Sequence, residues 1–247
     1  GTIQPSQGDY FQACKGGGHG DYHLIVLAPN SVKEMHDHVA LGFDLAFKYR
    51  NPAMILADGA IGQMMEKVVL APQRPRKTNE EIAAECREWA ACGKPADRPR
   101  NVVTSLELKS EAMEKINLRL QAKYKAMEEN EARYEEIECA DADYVIVAFG
   151  SSARICSATV EMARAEGIKL GLLRPITLYP FPTQAVRALA DRGVKGFLSV
   201  ELNAGQMVED VRLAVNGAVP VEHYGRQGGM IYSPDEVFAA LKEKLIK

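Results

Sequence analysis

From Tyr144 onward short apolar runs alternate with amphipathic stretches, a rhythm that few folds accommodate. YVIVAFG (144–150), KLGLLRP (169–175), KGFLSVE (195–201) and VPVEHYG (219–225) are too short and too evenly apolar for helices, and they read as buried strands. Helical patterns fill the gaps, from Ser152 to Glu166, Gln184 to Asp191 and Gln206 to Val215, and a last helix follows the Ser233-Pro234 start. Strands joined through helices lie parallel, and a parallel sheet is covered on both faces, so its strands need not alternate apolar with polar. The predicted class is α/β, an open and mainly parallel sheet, with function expected at loops beyond the strand C-termini.

The first seventy residues repeat the pattern once. LIVLAP (24–29) reads as a strand, and NSVKEMHDHVALGFDLAFKYR (30–50) as a helix whose Ser31 and Glu34 stand in capping-box spacing. Asn51-Pro52 stops it, and AMILAD (53–58) is a second apolar strand ending at Asp58-Gly59. The simplest arrangement is a right-handed βαβ unit. Between Leu70 and about Ala140 the texture changes: APQRPRK and GKPADRPRN are proline-rich and basic, as a connector would be. From about Ser110 to Glu138 a long charged helix is predicted, with Ile116, Leu120, Tyr124 and Met127 as its one apolar stripe and a solvated face elsewhere.

A formal net charge of −3 gives no electrostatic case for nucleic acid or an anionic membrane. No stretch approaches a transmembrane span, and no charged-then-apolar leader opens the sequence, so a cytoplasmic protein is expected. The five cysteines, Cys14, Cys86, Cys92, Cys139 and Cys156, are scattered, without a CxxC pair. That pattern argues against a zinc ribbon, a disulfide scaffold or an iron–sulfur cluster held by this chain alone.

Two glycine-bearing loops invite a phosphate. KGGGHGDYH (15–23) has its lysine before the glycines and precedes a strand, the reverse of a P-loop or a dinucleotide fingerprint. His19, Asp21 and His23 in one loop, with no second cluster, make a weak metal pattern, so the loop reads as a turn. GSSARI (150–155) offers free N–H groups and hydroxyls at a helix start but lacks the spaced glycines of GxGxxG. No acidic ribose partner follows the next strand, which leaves a nicotinamide-dependent dehydrogenase as the weakest reading, below a simple capped helix start. Cys156 in that helix reads as a packed small residue.

LRPITLYPFP (173–182), VELNAGQMVEDVRLAVNG (200–217) and HYGRQGGM (223–230) are unusual stretches. Taken with GTIQPSQGDYFQACKGGGHGDYHLIVLAPNSVKEMHD at the front, KYRNPAMILADGAIGQMMEKV, and NLRLQAKYKAMEENEARYEE in the linker helix, they resemble the α subunit of 2-oxoacid:ferredoxin oxidoreductases. The resemblance is to the branched-chain, 2-oxoisovalerate (3-methyl-2-oxobutanoate) type, and it runs over nearly the whole chain. It implies a multisubunit enzyme that oxidatively decarboxylates a 2-oxoacid to its acyl-CoA and passes electrons to ferredoxin. Thiamine diphosphate would supply the carbanion chemistry and CoA would be the co-substrate. The diphosphate and Mg2+ would be held by a β subunit, and the iron–sulfur clusters by a small ferredoxin-like subunit, in a hetero-oligomer with α–α or α–β contacts. Implied for this chain are the C-terminal part of a pyrimidine-type domain (1–70), a linker with the long charged helix (71–140) and a domain like the transketolase C-terminal one (141–247). 2-Oxoglutarate and pyruvate are rival substrates, and a non-catalytic assembly module is the rival role.

The diphosphate signature in such enzymes is GDG followed about 25 to 30 residues later by Asn, because Asp and Asn must hold the Mg2+. ADG at 57–59 is the nearest run here, with no Asn at that distance, so the chain is not expected to hold the diphosphate. The sequence opens at Gly1-Thr2 without Met where the family carries a further segment, and it reads as a C-terminal fragment. The main catalytic contacts are then expected upstream of Gly1, and the incomplete first domain should expose the face its missing strands would cover. The resemblance places Gln4, Gln7, His19 and Asp21 near the rim of the substrate pocket. Ser151, Ser152, Arg154, Arg174, Asn203, Gln206 and Arg226 fall at loops on one edge of the sheet, where an anion such as CoA or the β subunit could meet them. Subunit packing is the reading preferred, since their spacing shows no chelating or catalytic geometry. Asp58, at a strand end, reads as a helix cap or turn residue rather than a general base.

Overall fold

A computed structural model describes residues 3–90, 93–94 and 96–246. They form, in order, α1 (Tyr10–Cys14), β1 (Ile25–Leu27), α2 (Val32–Tyr49), β2 (Ala53–Ile55), α3 (Gly59–Gln63), α4 (Asn79–Cys86), α5 (Ser110–Glu131), β3 (Tyr134–Ile137) and β4 (Tyr144–Val147). There follow α6 (Gly150–Ala165), β5 (Leu170–Pro175), β6 (Thr177–Tyr179), α7 (Thr183–Asp191), β7 (Gly196–Glu201), α8 (Met207–Val215), β8 (Val221–Gly225) and α9 (Pro234–Leu241), closed by a π turn over Lys242–Ile246. Residues 1–69 and 120–247 make one compact unit, and residues 70–119 make a second.

The larger unit holds a five-stranded sheet in the order β3-β5-β4-β7-β8. β4, β5, β7 and β8 are parallel, and only the edge strand β3 runs antiparallel. Its faces follow the period of two: Val145 and Val147 of β4 pack with α1, α7 and α8, while Ile146 and Ala148 pack with α6 and α9. Gly171 lets β5 pass under the chain at Cys139, because a Cβ there would stand 2.9 Å from the Cys139 sulfur. A smaller sheet has the order β2-β1-β6, with β1 and β2 parallel across α2 and β6 antiparallel to β1. Ile176 alone separates β5 from β6, so one continuous segment passes from the large sheet into the small one.

KLGLLRP is a strand as read, and directly after it comes a strand that was not foreseen, β6 in the other sheet, followed by the cis Tyr179-Pro180 bond. Two expectations change. The long helix stops at Glu131 instead of about Glu138, and Tyr134-Glu-Glu-Ile becomes β3. Its outward charges hid it, and charges are what an edge strand carries. AMILAD is a strand only to Ile55, since Asp58 turns away to cap α3. At α2 the Ser31 side chain accepts from the Glu34 N–H (3.1 Å), while the Glu34 carboxylate accepts from Asn30 rather than from Ser31. α2 exposes an apolar face, with Phe43 64% accessible between Val39 and Phe47.

In the smaller unit Thr78 and Glu81 form a complete capping box on α4, and Arg87 pairs with Asp97. Val102, Val103, Leu106 and Leu108 are exposed there.

Candidate functional site

The large sheet reverses direction at β4: the chain passes to β5 on one side and then to β7 on the other. Loops leaving β4 and β7 at such a switch point splay apart, and the crevice between them is where α/β folds hold ligands. Both loops here lead straight into helices, α6 after Phe149 and α8 after Gln206, so two helix N-termini direct free N–H groups and positive dipole ends toward the crevice. An anion is what this arrangement binds.

The anions are the chain's own. Asp58, arriving from the small sheet, is buried, and its Oδ2 accepts from the Ser151 N–H at 3.1 Å. Its Oδ1 accepts from the Ser151 hydroxyl at 2.6 Å and from the N–H groups of Ala60 (3.0 Å) and Ile61 (3.3 Å). One carboxylate therefore caps α3 and fills the start of α6. Glu201, the last residue of β7, is fully buried and does the same at α8, accepting from the N–H groups of Gln206 (3.1 Å), Met207 (2.7 Å) and Val208 (2.9 Å) and from the Ser199 hydroxyl (2.9 Å). His223 stands 4.0 Å from Glu201, its Nε2 buried without a hydrogen bond; burial lowers its pKa, against the opposing pull of Glu201.

Gln7 closes the crevice between them. Its Nε2 donates to the Phe149 carbonyl (2.8 Å), and its Oε1 accepts from the Ser152 hydroxyl (2.7 Å) and the Leu202 N–H (3.0 Å). The Asn203 amide donates to the Gln7 carbonyl at 2.8 Å, and the Gln7 N–H donates to Leu202. Gln206 fixes the next turn of the same segment, donating to Gly8 and accepting from the Phe11 N–H, each at 2.9 Å. Tyr10 donates to Asp210 at 2.5 Å, and Lys15 pairs with the same carboxylate. The space left beside Gln7, Asp58 and Gly150 is about 20 Å³, room for one water molecule rather than a phosphate.

The structure thus gathers Gln7, Ser151, Ser152, Asn203 and Gln206 into one network and leaves the other candidates apart from it. Arg174 is buried at 3% exposure, gripping Glu34 through two 2.8 Å bonds and Glu135 through a third. Arg154 donates to Glu66 and the Asn30 carbonyl, and Arg226 to Glu236. Gln4, His19 and Asp21 are exposed. In the glycine loop Gly16 and Gly20 take φ of +100° and +108°, and the Gly17 N–H donates to the Tyr22 hydroxyl, as a turn requires. His23 stacks on Tyr179 at 4.2 Å.

Among the described residues no group of His, Cys, Asp or Glu side chains is arranged to hold a metal ion, and no helix is long and apolar enough to cross a membrane. Cys14, Cys86, Cys139 and Cys156 are buried free thiols; burial pushes Cys14 and Cys139 up to about 12, and Cys156 is raised as well. Cys92 lies outside the described residues. Sequence reasoning did not foresee Glu201 or the reach of Asp58 to Ser151. Its available signal was a carboxylate at the end of each of two strands.

Comparison with known proteins gives two family matches. Residues 1–140 match the family described as pyruvate flavodoxin/ferredoxin oxidoreductase, thiamine diphosphate-binding, and residues 142–237 match pyruvate:ferredoxin oxidoreductase core domain II. Ketoisovalerate oxidoreductase subunit VorB from Methanothermobacter marburgensis is 47% identical over 98% of this chain, and that from Methanothermobacter thermautotrophicus is 48% identical over 98%. The chain spans 66% of the length of each. The 2-oxoglutarate synthase subunit KorA of M. marburgensis is 33% identical, over 96% of this chain and 68% of its own length. Among solved structures, the 2-oxoglutarate:ferredoxin oxidoreductase from Magnetococcus marinus with 2-oxoglutarate, coenzyme A and succinyl-CoA bound matches 98% of this chain and 45% of its own. Its TM-score of 0.76 at 22% identity shows a shared fold.

Proposed function

The chain belongs to the 2-oxoacid:ferredoxin oxidoreductase family, and from that premise we propose that it is the α-type subunit of a branched-chain enzyme. That enzyme would oxidatively decarboxylate 2-oxoisovalerate to its acyl-CoA in the cytoplasm and pass the electrons to ferredoxin. The observation that carries the substrate choice is the gap in identity: 47–48% to ketoisovalerate oxidoreductase subunits against 33% to a 2-oxoglutarate synthase subunit. The division at about residue 140 into a thiamine-family part and a transketolase C-terminal-like part belongs to the same proposal, supported by the boundary between the two family matches.

The described residues do not fit a Mg2+-diphosphate group. Among the described residues no three His, Cys, Asp or Glu side chains come together as a metal site, and both helix N-termini at the switch point are filled by Asp58 and Glu201. The proposal therefore gives the diphosphate and Mg2+ to a β subunit and the iron–sulfur clusters to a ferredoxin-like subunit. This chain's residues act by position: Gln7 and Asp58 fasten the thiamine-family part to the domain behind it, and Gln4, His19 and Asp21 stand accessible where a pocket completed by another chain could use them.

The test is viologen reduction by the complex formed with the full-length form of this chain, dependent on CoA and on each of 2-oxoisovalerate, 2-oxoglutarate and pyruvate. A kcat/KM highest for 2-oxoisovalerate is the expected result. Preference for another acid would overturn the substrate, and no turnover by a cofactor-loaded complex would leave the chain an assembly module.

A further inference from the structure

Away from the switch point, a groove of about 860 Å³ opens between the C-terminal part of α5, the edge strand β3 and the start of α7. Leu178, Phe181 and Tyr179, the last stacked on His23, give it an apolar and aromatic lining. Tyr134 and Glu136, alternate residues of β3, both face it, and Ala188 of α7 contributes a small exposed side chain on the opposite side.

The charges on its rim are unbalanced. Glu128 and Glu129 come from α5 and Glu136 from β3. Glu128 accepts from the Tyr179 hydroxyl at 3.2 Å, whereas Glu129 and Glu136 have no ion pair among the described residues. Of the two lysines lining the groove, Lys15 is taken by Asp210, which leaves Lys125 against three carboxylates. On an open helix face such a cluster is only solvated. Here it rims a concavity with aromatic walls, and carboxylates beside aromatic faces are what a guanidinium or ammonium group binds, by charge and by cation–π contact together. Glu128, Glu129 and Glu136 are exposed and come from two separate elements, α5 and β3, which suits a segment lying across both.

We propose that this groove seats a basic segment of a partner subunit, an arginine or lysine of that segment lying between Glu129 and Glu136 and an apolar neighbour against Phe181 and Tyr134. The inference rests on the reading of the chain as one subunit of a hetero-oligomer. In chemical terms the partner is recognised by a cation flanked by apolar side chains, and the contact is sensitive to salt.

The test uses the intact assembly, made by co-expressing the full-length chain with its β and ferredoxin-like subunits. p-Benzoylphenylalanine placed at Ala188 is irradiated and the cross-linked peptide is sequenced. The expected peptide comes from a partner subunit and carries Arg or Lys next to apolar residues. A peptide from a second copy of this chain, an acidic peptide, or no cross-link from an assembled complex overturns the proposal. In parallel, the double variant Glu129→Lys, Glu136→Lys alters side chains that hold nothing in the fold. It should weaken assembly about tenfold at low salt, with the difference shrinking at high salt as screening sets in. Glu161→Lys, an exposed charge on α6, should leave assembly unchanged. Unaltered assembly of the double variant also overturns the proposal. If the unsubstituted chains fail to associate, the subunit reading itself falls, a result distinct from assembly that ignores the groove.

Discussion

Asp58→Ala removes one carboxylate and strands four donors. The Ser151 N–H and hydroxyl lie in a buried crevice and lose their acceptor, while Ala60 and Ile61 lose the cap of α3. A lost N-cap costs about 1 kcal/mol, and a buried donor left unpaired after losing a charged acceptor costs about 1.5–3 kcal/mol. Ser151 can turn its hydroxyl and the α3 N–H groups can reach water, so the sum is reduced, to about 3–4 kcal/mol. For a chain of this size that corresponds to a fall of about 10 °C in Tm. Asp58→Asn keeps one acceptor for α3 but turns an NH2 group toward the Ser151 N–H, and it should lose about half as much. Thermal unfolding followed by circular dichroism measures both. Formate offers a further check, since Asp58→Gly leaves a carboxylate-sized gap before a helix N-terminus, and 50 to 100 mM formate should raise its Tm more than that of the unsubstituted chain. A Tm for Asp58→Ala within about 2 °C of the original would refute the bridging role, because even with the hydroxyl turned and α3 rewetted the buried Ser151 N–H loses its charged acceptor.

Gly225→Ala would place a Cβ 2.3 Å from the Asn203 carbonyl oxygen and 2.8 Å from the His223 ring, so a loss of about 3 kcal/mol or more is expected in urea unfolding; a loss under 1 kcal/mol would show that β8 and the Asn203 loop are not in that contact. Burial lowers the pKa of His38 and of His223 in the folded chain, so below about pH 6.5 the unfolded chain binds more protons and stability should fall on acidification from 7.5 to 5.5. His223→Gln should flatten part of that slope, and a profile with no slope in this window contradicts the buried neutral imidazoles. Cys14 and Cys139, raised to about 12, and the fully buried Cys156 should resist iodoacetamide at pH 8 in the folded chain and react on unfolding; mass spectrometry showing native labelling at the rate of a free thiol would contradict their burial.

What was legible in the sequence is what local chemistry decides. β4, β5 and β7 were visible because they are buried on both faces and mostly apolar, and Ser31 and Ser233 announced their helices through side chains that cap within three residues. β3 was not visible, since an edge strand with one face in water shows Glu where a central strand would show Val. β6 was masked for another reason. Thr-Leu-Tyr after Arg-Pro-Ile looks like the tail of one strand, and only pairing with Val26 and Leu27, far away in sequence, makes it a second. Gln7 and Asp58 show the same limit. Beyond the local cap that Asp58 gives Ala60 and Ile61, their partners, Phe149, Ser151, Ser152 and Leu202, lie far away in sequence.

That distance in sequence carries the functional argument. GSSAR has the form of an anion-binding helix start, though a capped helix start was its preferred reading, and the NAGQ turn leads into a second helix. The fold assigns them Asp58 and Glu201, carboxylates with the charge a phosphate would bring but fixed in the chain and lost only on unfolding. A crevice filled in this way cannot exchange its anion, so the switch point joins parts of the chain where it would otherwise bind. The accessible features then lie elsewhere: the glycine loop with His19 and Asp21, the apolar face of α2 around Phe43, and the acidic groove beside β3. A chain whose interior anion sites are self-satisfied and whose concave surface is charged and aromatic is suited to hold other chains in register, which is the work the proposed subunit role requires of it.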